Sequence, residues 1–146
     1  MKVVLQRVSE ASVTVDDEVT GSIAGGLLLL VGIHEDDSEE QVDWMVDKIL
    51  KLRVFEDEEG KMNRSVTDVG GGLLLVSQFT LFGDARKGTR PSYIEAAGPE
   101  KAEKLYDYMV TRTREKSDLA VETGVFAAKM DVASVNDGPV TLILEK

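Results

Sequence analysis

The chain has 146 residues, no cysteine and a formal net charge of −10, from 27 acidic and 17 basic residues. That length carries one domain, residues 1–146, with a core of its own, and the missing cysteines exclude disulfides, thiolate metal sites and a thiol nucleophile. A composition of 42% hydrophobic and 30% charged residues excludes a disordered chain, and the acidity excludes a broad basic face that coats nucleic acid while leaving room for a grip on one RNA end.

In chain order, residues 3 to 33 read as β structure. Val3-Val4-Leu5-Gln6-Arg7-Val8 is strand-like, Ser12 to Val15 alternates, Asp16-Asp17 turns and Val19 to Ile23 returns. Gly25-Gly26 punctuates, and Leu27 to Ile33 reads as a buried strand, too short to span a bilayer. No secretory signal is visible before it, so a cytoplasmic location without membrane contact is expected. Ser38 and Gln41 have capping-box spacing ahead of a helix with Val42, Met45, Val46 and Ile49 on one face. Trp44 is assigned with that stripe to core or interface. Leu52 to Phe55 predicts a short strand ended by the turn Asp57-Glu58-Glu59-Gly60. The acidic clusters Asp36-Asp37 and Asp57-Glu58-Glu59 lack metal-loop spacing and are read as solvated.

Gly70-Gly71-Gly72 precedes a second buried strand, Leu73 to Val76, which delivers Ser77-Gln78-Phe79-Thr80 at its end. Phe82 to Tyr93 is a polar loop, and Pro99 opens a second helix with an apolar stripe of Ala102, Leu105, Tyr106, Met109 and Val110. Arg112, Arg114 and Lys116 end it, where the helix dipole favours cations. Val121 and Phe126 flank Gly124 in a strand and turn. Met130 to Val135 and Val140 to Leu144 predict a closing hairpin around Asn136-Asp137-Gly138. The fold class is therefore α/β: a single domain with a mixed, mostly antiparallel sheet that curls toward a barrel, and two main helices packed outside.

Two segments suggest chemistry. Ser77-Gln78-Phe79-Thr80 puts hydroxyls and backbone N–H groups at a strand tip, where they can hold a carbonyl oxygen as it gains charge. Thr80 is also a possible nucleophile if a base lies beside it. The only histidine is His34, nothing in the sequence ties it to Thr80, and a Ser-His-Asp triad is a poor fit. The plain alternative is that Ser77 and Thr80 satisfy backbone groups at a strand end. In Asn136-Asp137-Gly138-Pro139-Val140-Thr141, the first three residues are a turn signal. Pro139 after Gly138 adds a rigid surface poor in side chains, as a steric gate requires. The loop from Asp84 to Ser92 holds Arg86, Lys87 and Arg90, the densest positive stretch in the chain, which suits either phosphates or solvent.

These segments resemble the D-aminoacyl-tRNA deacylase family, and the resemblance runs along essentially the whole chain. Met1 to Val8 is similar to the family's opening strand, and Phe55 to Asn63 to its middle segment. Ser77-Gln78-Phe79-Thr80-Leu81 and Asn136 to Thr141 resemble its two signature motifs, with Lys87-Gly88-Thr89-Arg90-Pro91-Ser92 as the loop between them. Lys2 and Tyr93 stand where the family pattern has arginine and phenylalanine.

The resemblance implies hydrolysis of the ester bond of D-aminoacyl-tRNA, with L-aminoacyl-tRNA rejected, as translation quality control. It implies a homodimer with active sites at the subunit interface. Gly138 and Pro139, joined by a cis bond, would reach into the partner's pocket to exclude L-residues. Ser77, Gln78, Phe79 and Thr80 would line the opposite wall, and Arg7 would steady the Gly-Pro element through backbone. Arg86, Lys87 and Arg90 are the candidate contacts to the acceptor end of the tRNA. No metal or other cofactor is expected. Two mechanisms stand open: attack by Thr80, or assistance from the terminal adenosine's 2′-hydroxyl with the protein positioning the ester. The second is preferred because no base for Thr80 is identifiable. Competing functions are a hydrolase of small D-configured esters or peptides that needs no tRNA, and a non-catalytic RNA-binding module.

Overall fold

The computed structural model describes residues 1–146. Its strands are β1 (Lys2–Val15), β2 (Glu18–Ile23), β3 (Gly26–Gly32), β4 (Arg53–Glu56), β5 (Met62–Ser65), β6 (Gly72–Ser77), β7 (Val121–Thr123) and β8 (Asp131–Glu145). The helices are α1 (Glu39–Lys51), the single turn α2 (Val66–Val69) and α3 (Pro99–Lys116), with a 3-10 turn over Phe79–Phe82. The main sheet runs β2-β1-β3-β6-β7, and β8 pairs with β1; β4 and β5 form a separate ribbon. β1 pairs antiparallel with β2, β3 and β8, whereas β3–β6 and β6–β7 are parallel.

Alternation along β1 explains the layering. Val3 and Leu5 join the larger core, shared with Val42, Met45, Val46 and Ile49 of α1 and Leu105, Tyr106 and Met109 of α3. Val8, Ala11 and Val13 face the other way, into a smaller core with Ile23, Leu28, Leu74 and Val76 inside the curl of the sheet. β3 and β6 are therefore covered on both faces and read as near-continuous apolar runs. Their approach is so close that a Cβ on Gly26 would lie 2.0 Å from the Gly72 carbonyl oxygen, which confines the position to glycine.

α1 opens as its sequence suggests: the Ser38 N–H donates to Gln41 Oε1 at 2.9 Å. The two long helices are clasped by side chains. Arg112 Nε donates to Asp43 Oδ1 at 2.8 Å, the Tyr108 hydroxyl to Asp43 Oδ2 at 3.1 Å, and Lys116 Nζ to Asp47 Oδ1 at 2.7 Å. The arginine beside it holds the Asp43 carboxyl below the usual carboxylate range, and the same hydrogen bond raises Arg112. Arg114 donates to the Val121 carbonyl at 3.1 Å, so the cations at the end of α3 tie the fold together.

Three expectations need correction. The closing hairpin does not form: residues 131 to 145 are one strand paired with β1 along its length. Val8 pairs with Asn136 and Gln6 with Thr141, so residues 137 to 140 bulge opposite the single residue Arg7. The 14-residue β1 offers a continuous antiparallel partner, and the turn-prone Asp-Gly-Pro is absorbed as a bulge, which needs the same positive φ as a turn. Asp37 is not solvated. It is buried, with Oδ1 2.7 Å from the Met1 ammonium, and Oδ2 accepts the His34 N–H at 2.6 Å. Of the core-or-interface reading of Trp44, the core half fails: the stripe around it is buried, while the indole itself is exposed.

Candidate active site

β6 carries the first motif. Its last residue, Ser77, lies beside Val31 of β3, and the Gln78 N–H donates to the Val31 carbonyl at 2.7 Å, the final rung of that ladder. The chain then tightens into the 3-10 turn, with Leu81 N–H returning to Gln78 O at 3.3 Å and Gly83 N–H to Thr80 O at 2.9 Å. Behind the strand, the buried Tyr106 hydroxyl donates to the Leu75 carbonyl at 2.8 Å, and burial pushes its pKa up, so it stays a donor. An apolar helix stripe that contains a tyrosine signals such a brace, because a buried hydroxyl must find a partner.

Phe79 and Thr80 are exposed, Ser77 and Gln78 half-buried. Phe79 packs edge-on against Tyr93, with ring centroids 5.1 Å apart. The only side chain bonded to the Thr80 hydroxyl is the Gln78 amide, which donates to it. An amide cannot take a proton, so nothing here activates Thr80 as a nucleophile. His34 is occupied elsewhere: its ring lies 5.3 Å from that of Phe82, and Nδ1 accepts the Asp36 N–H at 3.1 Å.

The second motif is held by Arg7. Its side chain is almost fully buried, and Nε donates to the Asp137 carbonyl at 3.1 Å and lies 3.2 Å from Asp137 Oδ2. Nη1 donates to the Val54 carbonyl at 2.6 Å, and Glu56 lies 3.9 Å from Nη2. The fork thus joins the bulge of β8 to strand β4. Val54 and Glu56 are braces to which the sequence reading gave no role, although Glu56 lies in the middle segment of the resemblance; only the fold brings them to Arg7. The Gly138-Pro139 bond is cis and both residues are exposed. Gly138 has φ +121°, and a Cβ there would lie 3.0 Å from Arg7 Nη2 and 3.2 Å from the Val140 nitrogen.

The two motifs do not meet within one protomer. Arg7 is level with Leu27 and Leu73, whereas Ser77 is level with Val31 and Val3, four residues further along. Three strand spacings, from β8 through β1 and β3 to β6, separate them sideways. At ~3.3 Å per residue and ~4.8 Å per strand, this is roughly 20 Å across the sheet.

In the third segment, Asp84 and Ser92 exchange backbone hydrogen bonds at 2.8 and 2.9 Å, closing the loop. Arg86 grips Asp84 with both arms, Nε at 2.8 Å and Nη2 at 2.6 Å, and holds the carboxyl at a pKa of about 2. Lys87 and Arg90 are exposed and make no ion pair. No cluster of three His, Asp or Glu side chains is placed to hold a metal ion.

The sequence pattern of the D-Tyr-tRNA(Tyr) deacylase family matches residues 4–145. A D-aminoacyl-tRNA deacylase of Exiguobacterium sibiricum is 62% identical over 146 residues, covering 100% of both chains. One from Chloroherpeton thalassium is 59% identical over 145 residues, or 99% of this chain and 95% of that one. Among solved structures, the c-Myc DNA unwinding element binding protein superposes with a TM-score of 0.95 at 43% identity, covering 100% of this chain and 99% of that one. A probable eukaryotic D-amino acid tRNA deacylase has the same fold, with a TM-score of 0.83 at 17% identity over 98% of this chain and 97% of its own. With a match of this extent, spanning both motifs and the Arg7 clasp between β1 and β8, the chain belongs to the D-Tyr-tRNA(Tyr) deacylase family.

Proposed function

We propose that this chain hydrolyses the ester of D-aminoacyl-tRNA to free D-amino acid and tRNA, spares L-aminoacyl-tRNA, and works as a cytoplasmic homodimer. The observation that carries the reading is the bare Gly138-Pro139 surface, stiffened by Arg7 and turned outward roughly 20 Å from Ser77–Thr80 along the sheet. An outward-facing gate that cannot reach its own pocket suits a site completed by a second copy. The exposed apolar residues Val132, Val135, Leu142 and Ile143 on the same strand supply surface for that contact.

In the reaction, water adds to the ester carbonyl carbon, the carbonyl oxygen takes up the negative charge, and the proton that the water sheds passes to the 2′-hydroxyl of the terminal adenosine. The first N–H groups of a 3-10 turn have no partner inside it, so those of Phe79 and Thr80 are the donors to that oxygen. The Gln78–Thr80 hydrogen bond fixes the turn, and Ser77, at the end of β6 beside Val31, leads into it. As the intermediate collapses, the bond to the 3′-oxygen breaks, and that oxygen takes a proton by way of the neighbouring 2′-hydroxyl. An aminoacyl ester is already activated, so positioning and charge stabilisation suffice. Arg86, Lys87 and Arg90 face the acceptor end, with Lys87 and Arg90 free to meet phosphates. No helix is long and apolar enough to cross a membrane.

The test is a pair of time courses on matched D- and L-aminoacyl-tRNA, with uncharged tRNA as competitor. Release of the D-form alone, slowed by the competitor, is expected. Equal rates on both enantiomers sink the proposal, and D-selective release indifferent to tRNA points to small D-configured esters.

A further inference from the structure

A groove of about 450 Å³ runs along the C-terminal half of α1, lined by Trp44, Asp47, Lys48, Lys51, Leu52 and Arg53. It gathers cations on the surface of an otherwise acidic chain. Lys48, Lys51 and Arg53 make no ion pair, and the one carboxylate in the lining, Asp47, is held by Lys116 at 2.7 Å. Arg86 and Arg112, by contrast, are matched, by Asp84 and by Asp43 and Glu115, while the unpaired Lys87 and Arg90 lie in the loop from Asp84 to Ser92. The helix dipole accounts for lysines in the last turn of α1. It does not account for Arg53 beyond the helix end, or for an exposed indole with ammonium groups over it, Lys48 at 5.8 Å and Lys146 at 5.4 Å.

A tract of phosphates with an unpaired base is the ligand that uses all of these features together. The base stacks on the indole, and the phosphates displace counterions from the row of cations. From Trp44 to Lys51 the helix rises about 10 Å, so the row is long enough for more than one nucleotide. Along the chain, the groove ends beside a brace of the second motif. Arg53 immediately precedes Val54, whose carbonyl accepts from the Arg7 fork. We infer that this groove holds a single-stranded RNA segment of the substrate, with one base on Trp44 and phosphates on Lys48, Lys51 and Arg53. The inference rests on the tRNA reading above and adds a docking surface apart from the loop with Arg86, Lys87 and Arg90.

Trp44 is the only tryptophan in the chain, so its emission reports on the groove without labelling. Titration of the intact protein with uncharged tRNA at low salt should quench that emission, and salt should restore it. The double substitution Lys48→Glu, Lys51→Glu leaves the Arg53–Asn63 tie between β4 and β5 in place. It should raise KM for D-aminoacyl-tRNA about tenfold at unchanged kcat, and lower the slope of log Kd against log salt by about 1.4 for two phosphate contacts on a single strand. D-aminoacyl-adenosine, which lacks the rest of the RNA, should be cleaved equally by wild type and variant. Unquenched emission, or an unchanged KM and salt slope, overturns the inference, as does equal loss on D-aminoacyl-adenosine. Dissociation of the protein into monomers by Trp44→Ala assigns the groove to a second copy instead and also overturns it. A wild type that tRNA quenches but that leaves D-aminoacyl-tRNA intact keeps the groove and removes the deacylase reading.

Discussion

Arg7 Nε donates to the carbonyl of Asp137 at 3.1 Å, across 130 positions of sequence, and so fixes the residue just before Gly138. The same guanidinium reaches the Val54 carbonyl at 2.6 Å. One buried fork therefore sets the position of the Gly-Pro surface relative to the body of the fold. Lysine cannot reproduce this arrangement, because an ammonium lacks the planar fork. Arg7→Lys is expected to lower kcat/KM on D-aminoacyl-tRNA by at least tenfold and narrow the D-to-L ratio. Arg7→Met also leaves the Val54 carbonyl without its donor, a loss of about 1–3 kcal/mol that thermal unfolding should register. An Arg7→Lys protein with the wild-type D-to-L ratio shows that the fork does not place the gate.

Gly138→Ala should damage both fold and selectivity. Its φ of +121° suits glycine, and the added methyl would sit 3.0 Å from Arg7 Nη2 and 3.1 Å from Val140 Cγ2. Strain of about 1–3 kcal/mol is expected, read as a lowered Tm, together with a large loss of D-aminoacyl-tRNA cleavage. A variant with unchanged Tm and rate removes Gly138 from the gate.

A gate that rejects L-residues by colliding with the side chain has nothing to strike on glycine. Glycyl-tRNA should therefore be hydrolysed and L-alanyl-tRNA largely spared. Parallel deacylation of glycyl-, D-alanyl- and L-alanyl-tRNA decides this. Glycyl-tRNA as resistant as L-alanyl-tRNA means that the D-side chain is recognised positively.

Thr80→Ala should keep measurable turnover, within about a hundredfold of wild type, because its hydroxyl has only an amide for company and the oxyanion donors proposed are backbone groups. Single-turnover rates measure the loss. Isolation of an acyl group on Thr80 after acid quench would restore nucleophilic catalysis.

The loop from Asp84 to Ser92 makes a pH prediction. The Arg86 hydrogen bonds hold the Asp84 carboxyl at about 2 in the folded chain, below the value of about 3.9 for a free aspartate. A depressed folded pKa means that the pair stabilises the loop fully above the unfolded value and loses that contribution as pH falls through about 4 toward 2. NMR titration of the Asp84 carboxyl should give a midpoint near 2 in wild type and a return toward the ordinary range in Arg86→Gln. A wild-type midpoint in the ordinary range shows that the pair does not persist in solution. Lys87→Glu with Arg90→Glu should leave this titration intact while raising KM for tRNA.

Much of the fold was legible from local pattern. The alternation of Val3, Leu5 and Val8, the continuous runs at Leu27 and Leu73, and the stripes on α1 and α3 each follow from periodicity, which records which face is buried. The two motifs were also visible, because glycine, proline and small hydroxyl residues mark strand ends and bulges rather than strand interiors. Their chemistry came from family resemblance, not from spacing. Asn136-Asp137-Gly138 reads as a hairpin because turns and bulges demand the same positive φ. Only the availability of β1 as a continuous partner makes it a bulge opposite Arg7. Asp37 carries no local mark of burial, since its partners are the Met1 ammonium and the His34 N–H. Sequence order likewise says nothing of the distance between Ser77 and Gly138, which is set by three strand spacings and a four-residue offset. Periodicity reports a residue's own surroundings; partners that lie far along the chain are settled only when the sheet closes its register.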